Sequence, residues 1–281
     1  MEKNNILIKS KAWTFLAVII LMSSCYKKFD EKSYAPPFTI NGYTSSSEIA
    51  ASNLVAYWSF EGDLKESVSG NVGENKGTSF AQGFIGQGLK GALNSYVLTD
   101  ASNALSSLKS FTLSEWVNTP PPSSGIIGLF TLANTTTFWG NIELFVENGS
   151  TNENGKLRLH VSKGGNDYTF EADNVLNLFN KWVNITYTYD ETTSMFALYV
   201  NGSKVKSGTL NNLTGALDFT NIGKVVFGCV QFQTNPSQTS AVTSQDWASF
   251  LTGQIDEVRV YNKVLDDKEI SSLIVLQGKG Y

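Results

Sequence analysis

The sequence predicts an all-β fold, an antiparallel sandwich of two sheets closed by one short C-terminal helix. Three observations predict it. Beyond Ser47, short runs rich in aromatic and β-branched residues follow one another with period-two or continuous apolar patterning. Gly, Asn and Ser divide these runs, as turn chemistry requires. The composition, 281 residues with 41% hydrophobic, 12% aromatic and only 16% charged, suits one large β domain that can bury a sizeable core.

The chain opens differently. Lys3, Lys9 and Lys11 precede an apolar run over residues 12–22, too short to span a bilayer and of the right length for the hydrophobic part of an export signal. It ends in "LMSSC", small residues before Cys25, and this resembles the lipobox at which bacterial signal peptidase cuts and the new N-terminal cysteine is acylated. Residues 1–24 are therefore expected to be a cleaved signal, with lipid on Cys25 anchoring the mature protein to a membrane without a transmembrane helix. The expected location is the cell envelope, with the outer membrane or cell surface favoured. Residues 25–47 mix charges, Pro36 and Pro37 and a serine run with no apolar period, which reads as a tether, and residues 48–281 form the domain. Losing residues 1–24 takes three lysines and one glutamate from 21 basic and 25 acidic side chains, leaving a net charge of −6. An acidic surface without a basic stripe excludes nucleic acid as the expected partner. With Cys25 lipidated, Cys229 in "KVVFGCV" has no internal disulfide partner and reads as a small buried hydrophobe.

The strand candidates follow in order as "LVAYWSFE" (54–61), "SFTLSEWVN" (110–118), "NIELFVE" (141–147), "KLRLHV" (156–161), "WVNITYTYD" (182–190), "MFALYVNG" (195–202) and "GQIDEVRVY" (253–261). "VNGSKV" predicts a hairpin through Asn201 and Gly202, the pair favoured where both turn residues need positive φ. In "LDDKEISSLIVL", Asp266 as N-cap with Glu269 three residues on forms a capping box, and Ile270, Leu273, Ile274 and Leu276 supply a helical apolar stripe.

These motifs, in this order, resemble the laminin G-like jelly rolls of the concanavalin A-like fold. "LVAYWSFEGDLKESVSG" resembles their first strand and acidic loop, "GFIGQGLKGAL" their Gly-rich second strand, and "FTLSEWV" their Trp-bearing strand. "WVNITYTYDETTSMFALYVNGSKV" is similar to their paired strands around an Asn-Gly turn, and "GQIDEVRVYNKVLDDKEI" to their last strand and short helix. The resemblance runs over residues 54–274. It implies two curved sheets with first and last strands adjacent, and core positions for Trp58, Trp116 and Trp182.

The resemblance also implies calcium ligands: Asp256 with Asp63 or Glu66, backbone carbonyls and Asn71. Hard oxygen donors suit Ca²⁺, although "KESVSGN" departs from the family's usual Asp-Ser-Ser-Gly. Period two places Asp256 with Val258 and Val260, facing into the sandwich, and leaves Glu257 and Arg259 as an exposed pair. The alternative role for Asp256 is to cap backbone amides and tie the last strand to the first.

Jelly-roll glucanases carry a Glu-x-Asp-x-x-Glu pattern on one strand, whereas "QIDEVR" has Gln254 and Arg259 where the flanking glutamates would stand. "NIELFVEN" lacks the central Asp and reads as an exposed face bearing Glu143 and Glu147. His160 has no nucleophile motif to serve. A non-catalytic binder of carbohydrate is the expected function, with a protein-contact module of the envelope as the alternative. Sugars need an aromatic platform beside polar side chains. Two segments offer that mix: "NTTTFWGN", with Phe138 and Trp139, and the long polar run 230–250, with Asp246, Trp247 and Phe250.

Overall fold

A computed structural model describes residues 38–281. The signal, Cys25 and the tether through residue 37 lie outside the described residues. The first sheet runs β13 (Ser203–Gly208), β12 (Met195–Val200), β11 (Val183–Asp190), β6 (Phe111–Asn118), β16 (Gln254–Tyr261), β4 (Gln87–Lys90) and β3 (Ser79–Gln82), with β1 (Leu54–Trp58) also paired to β16. The second runs β10 (Asn166–Val175), β9 (Gly155–Lys163), β8 (Ile142–Asn148), β7 (Ile126–Asn134), β14 (Ile222–Phe227), β5 (Tyr96–Thr99) and β2 (Glu74–Lys76), with two-residue β15 (Ala248–Ser249) beside β7. All pairings are antiparallel except β15 on β7. The expected sandwich of two sheets is present, and first and last strands are adjacent, Trp58 opposite Val258. A short helix α1 (Asn103–Ser106) follows β5, and α2 (Asp267–Gly278) ends the chain.

Local chemistry explains the secure elements. Asn201 and Gly202 sit at φ 51° and 78°, the mirror-image turn that matches strand twist. At α2, the Asp266 carboxylate accepts the Glu269 N–H at 2.8 Å and Glu269 accepts the Asp266 N–H at 2.9 Å, satisfying two of the amides that a helix start leaves orphaned.

The main core fills the space between the sheets. Trp58 is fully buried edge-on to Phe227, with ring centroids 5.0 Å apart, and to Phe130 at 6.2 Å. One acid intrudes: Glu115 alternates on β6 with Leu113 and Val117, both core residues, so it points inward. Its two carboxylate oxygens have no hydrogen-bond partner among the described residues, and burial pushes its pKa up to about 8.

The outer face of the first sheet is sealed by α2 and residues 39–53. Ile49, Trp116, Tyr199, Tyr261, Leu265, Ile270, Leu273 and Leu276 form a second apolar cluster there, with Ile40 and Tyr43 packed against it. The folded unit therefore begins at Thr39, and residues 39–47, expected in the tether, belong to it. Glu257 and Arg259, expected to be exposed, are 3% and 4% accessible and form an ion pair at 3.0 Å beneath this covering. Arg259 also donates to the Ser46 carbonyl, Tyr57 donates its phenol O–H to Glu257 at 2.6 Å, and Gln277 bridges Glu257 to the Trp116 indole N–H. The buried charge is tolerated because both terminal nitrogens of Arg259 and both carboxylate oxygens of Glu257 are hydrogen-bonded, although the Arg259 Nε has no partner among the described residues.

A β-bulge explains the change of face. The register shifts between Asp256 and Arg259, with Glu257 at φ 53°, so one residue is gained on β16. Ile255, Val258 and Val260 face the core, while Asp256 lies opposite Trp116 on the outer side rather than pointing inward. Trp116 likewise serves the outer cluster, Trp182 packs at its margin, and Trp58 serves the main core. Cys229 is a free thiol, fully buried as expected.

Candidate functional site

The outer face of the second sheet is covered by a loop instead of a helix, and two glycines admit it. A Cβ on Gly125, at φ 57°, would stand 1.4 Å from the Trp247 carbonyl oxygen, and one on Gly128 would stand 2.3 Å from the backbone of Cys229 and Val230. Residues 228–253 thus lie directly on β7, where Ile126 donates its N–H to the Trp247 carbonyl at 3.3 Å. Phe232 is the loop's apolar anchor, fully buried with Ile126, Phe145, Val230 and Ala248.

Two buried polar side chains fix the loop against the turn after β7. Glu143 accepts the N–H groups of Gln231 and Gly140, each at 2.9 Å, and the Thr131 hydroxyl at 3.1 Å. Burial raises its pKa to about 7, and these donors oppose the rise. Gln231 accepts the Asn134 N–H at 2.8 Å and donates to the carbonyls of Thr137 and Phe138. The expected exposed face of "NIELFVEN" is corrected here: Glu143 is fully buried because the loop covers it.

This bracing brings together Phe138, Trp139 and Trp247, from segments about a hundred residues apart. Trp139 stacks on His160 with centroids 4.3 Å apart and on Phe145 at 5.3 Å. Trp247 lies 6.3 Å from Trp139, 5.4 Å from Phe232 and parallel to Phe138 at 6.2 Å. Trp247 alone among these rings is exposed, at 42%. Trp139, Phe145 and Trp247 line a groove of about 350 Å³ whose polar rim is Glu147 and Arg158. The Arg158 Nε lies 3.1 Å from Glu147 and 3.2 Å from Glu171. Burial, then the neighbouring Arg158 charge, lowers the His160 pKa to about 3, and its Nδ1 lies 3.0 Å from the Thr169 hydroxyl. The imidazole is therefore a neutral stacking partner. Asp246 and Phe250 face away from this groove and line a larger hollow on the other side of the loop.

The sequence reading missed Phe145, His160, Arg158 and Gln231. Alternation placed Phe145 between Glu143 and Glu147 on a supposedly wet face, and an aromatic there signals a covering that was not otherwise visible.

The expected calcium ligands are engaged elsewhere. Glu66 accepts the N–H groups of Tyr57, Val68 and Ser69 at 2.6–2.8 Å, Asp63 that of Lys65 at 2.9 Å, and Asp256 those of Ile85 and Glu257 at 2.9 and 2.8 Å. Asn71 donates its amide to the Asp100 carbonyl at 2.9 Å. Among the described residues no three His, Cys, Asp or Glu side chains are grouped to hold a metal. Carboxylates facing converging N–H dipoles are in an anion cradle, which opposes a cation, and these residues do not fit a calcium cage.

A family profile described as the concanavalin A-like lectin/glucanases superfamily, of laminin G type, matches residues 90–271. No curated protein matches the chain. Among solved structures, the binding domain of Paraclostridial Mosquitocidal Protein 1 superposes with a TM-score of 0.58 at 18% identity, over 79% of this chain and 52% of that one. The binding domain of botulinum neurotoxin DC in complex with SialylT gives 0.57 at 13%, over 83% and 52%. This chain spans about half the length of those toxin domains. Domain 4 of AbnA, a GH43 extracellular arabinanase of Geobacillus stearothermophilus in complex with arabinotriose, gives 0.53 at 19%, over 79% and 98%. At such identities the likeness is one of fold.

Proposed function

We propose a binding function from one premise: this chain belongs to the concanavalin A-like lectin/glucanases superfamily. Its role is non-catalytic capture of carbohydrate at a bacterial cell envelope, with lipid on Cys25 as the anchor. The observation that carries this reading is the half-open aromatic face, in which Trp139 is braced from below by Phe145 and His160 while Trp247 stands exposed at the mouth. A pyranose offers C–H groups to stack on such rings and hydroxyls to bond the rim. Arg158 and Glu147 supply a donor fork and an acceptor side by side, which suits neutral hydroxyls better than a charged ligand. Domain 4 of AbnA with arabinotriose and the neurotoxin domain with SialylT give precedents for sugar-binding proteins that contain this fold. Glu143, the one fully buried acid beside the groove, is occupied by three donors of the protein itself, and the glucanase carboxylate pattern is absent from β16.

A second reading, a protein-contact module, is favoured by exposed Leu176 and Val205, which line a hollow shared by Val175 and Val200. A glycan array probed with the full-length chain and its Trp247→Ala and Trp139→Ala variants separates the two. Selective binding that falls about tenfold or more in both variants, with melting temperature held in Trp247→Ala, supports the carbohydrate reading. A blank array from folded protein transfers the function to the apolar hollow.

A further inference from the structure

The hollow lined by Asp246 and Phe250 has a volume of about 1080 Å³ and takes no part in the aromatic groove. Its floor is Tyr96, whose hydroxyl donates to the Asn235 carbonyl and accepts the Asn235 N–H, both at 2.9 Å, and so fixes the turn that forms one wall. Asn94, Asn235, Asp246 and Lys76 stand around it. Among the described residues, the side-chain amides of Asn94 and Asn235 and the carboxylate of Asp246 have no protein hydrogen-bond partner, while Lys76 is paired with Glu74. The unspent groups thus include two neutral amides, one carboxylate acceptor and the hydroxyls of Thr243 and Ser244, around an apolar patch at Phe250. A polyhydroxylated, uncharged ligand matches that inventory, whereas an acidic one meets Asp246.

The two hollows share a wall. Residues 245–249 form a ridge one chain thick, with Trp247 lining the aromatic groove and Asp246 and Ala248 lining the polar hollow. The ridge is held from both sides: Gln233 accepts the Gln245 N–H at 2.7 Å and donates to the Ala248 carbonyl at 2.8 Å, while Ile126 holds the Trp247 carbonyl. It is a fixed divide and not a flap that closes one site.

We propose that the polar hollow is a second subsite for the same neutral glycan chain, so that the protein reads an internal stretch of several sugars lying across the Trp247 ridge rather than a terminal unit. This rests on the carbohydrate reading above. The aromatic groove supplies stacking, and the hollow adds hydrogen bonds to the units beyond the ridge.

The test is a length series. Linear arabino-, xylo- and cello-oligosaccharides of two to six units are titrated calorimetrically into the full-length chain, into Asp246→Ala, and into Ser244→Trp, which places an indole at the exposed rim of the hollow. For any series that binds, affinity is expected to rise at least tenfold from two units to six. Both variants should erase that gain while leaving dimer affinity, and its dependence on Trp139, unchanged. Equal affinity for two and six units, or a length gain that survives both variants, overturns the second subsite and leaves the carbohydrate reading standing. Absence of binding in every series and on the glycan array overturns both.

Discussion

The two sheets present their outer faces to very different coverings. On the first sheet, α2 and residues 39–53 close over Trp116, Tyr199 and Tyr261, and even the charged pair Glu257–Arg259 is sealed beneath them. On the second, residues 228–253 cover Ile126, Phe145 and Glu143 but leave their own Trp247 exposed and the Arg158–Glu147 rim open. The faces are comparably aromatic, so residue type does not distinguish a structural surface from a binding surface. The completeness of the covering does. A helix with a period-matched apolar stripe fits a flat face throughout, whereas a loop fixed by two glycines, a glutamate and a glutamine contacts the sheet locally and leaves hollows on both sides.

The strongest way to break the comparison is to unseal the closed face. Arg259→Ala strands Glu257 with its phenol and amide donors but without its cation, and removes the guanidinium that lies 4.4 Å over the Tyr57 ring. Breaking a buried pair from one side costs about 3–5 kcal/mol. Chemical denaturation should show a loss of that size with glycan affinity unchanged in the folded protein. A loss below about 1 kcal/mol would mean the face is wetter than the structure implies.

Between the faces lies Glu115, which sharpens the contrast by testing the core alone. Its pKa is raised to about 8 by burial, from an ordinary carboxylate value of 4.5. Below about pH 4.5 both folded and unfolded chains hold the proton; above it the unfolded chain releases it while the folded one keeps it. Its contribution to stability therefore falls as pH rises from about 4.5 to about 8, by roughly 1.4 kcal/mol per unit. Glu143 and Asp256, both raised to about 7, act in the same direction, so a difference between proteins isolates Glu115. Denaturation of the parent and Glu115→Gln at pH 4.5, 6 and 7.5 should give curves that diverge with pH in favour of the variant. Parallel curves would show that the acid reaches solvent.

The open face breaks more gently. Gly125→Ala drives a methyl into the Trp247 carbonyl, so the ridge must lift. A stability loss of about 1–3 kcal/mol is expected, with a red-shifted tryptophan emission and lost glycan binding. Retained binding with a normal emission maximum would place the ligand away from the ridge.

These cases also mark what was legible in the residues. The sandwich, the Asn201-Gly202 hairpin and the Asp266–Glu269 capping box were legible because each is written in neighbouring residues. Phe138, Trp139 and Trp247 stood out as aromatics in polar loops. The burial of Glu257 and Arg259 was not legible, since it follows from a bulge that inverts the face of Asp256 and from a helix whose docking partner lies elsewhere in the chain. Phe145 and Glu143 were hidden for the same reason: the loop covering them joins the sheet about ninety residues later than Glu143, and His160 is hidden beneath Trp139 of the turn after β7. Alternation says which residues share a face, and only tertiary structure says whether that face is wet.

Calcium is the smallest effect expected, and it separates the two faces from the acidic turns beside them. A cation bound only by the folded chain would stabilise it in proportion to its occupancy. Glu66 and Asp256 instead meet backbone N–H groups on both carboxylate oxygens, and Asp63 meets the Lys65 N–H. Millimolar Ca²⁺ or excess chelator should therefore shift the melting temperature by no more than about 1 °C. Glu66→Gln should lower it in either medium, because the amide has only one acceptor oxygen for the three N–H groups of Tyr57, Val68 and Ser69. A calcium-dependent rise of several degrees, abolished by Glu66→Gln or Asp256→Asn, would show that these turns rearrange around a cation and that the acidic loop does what its resemblance to the family suggested.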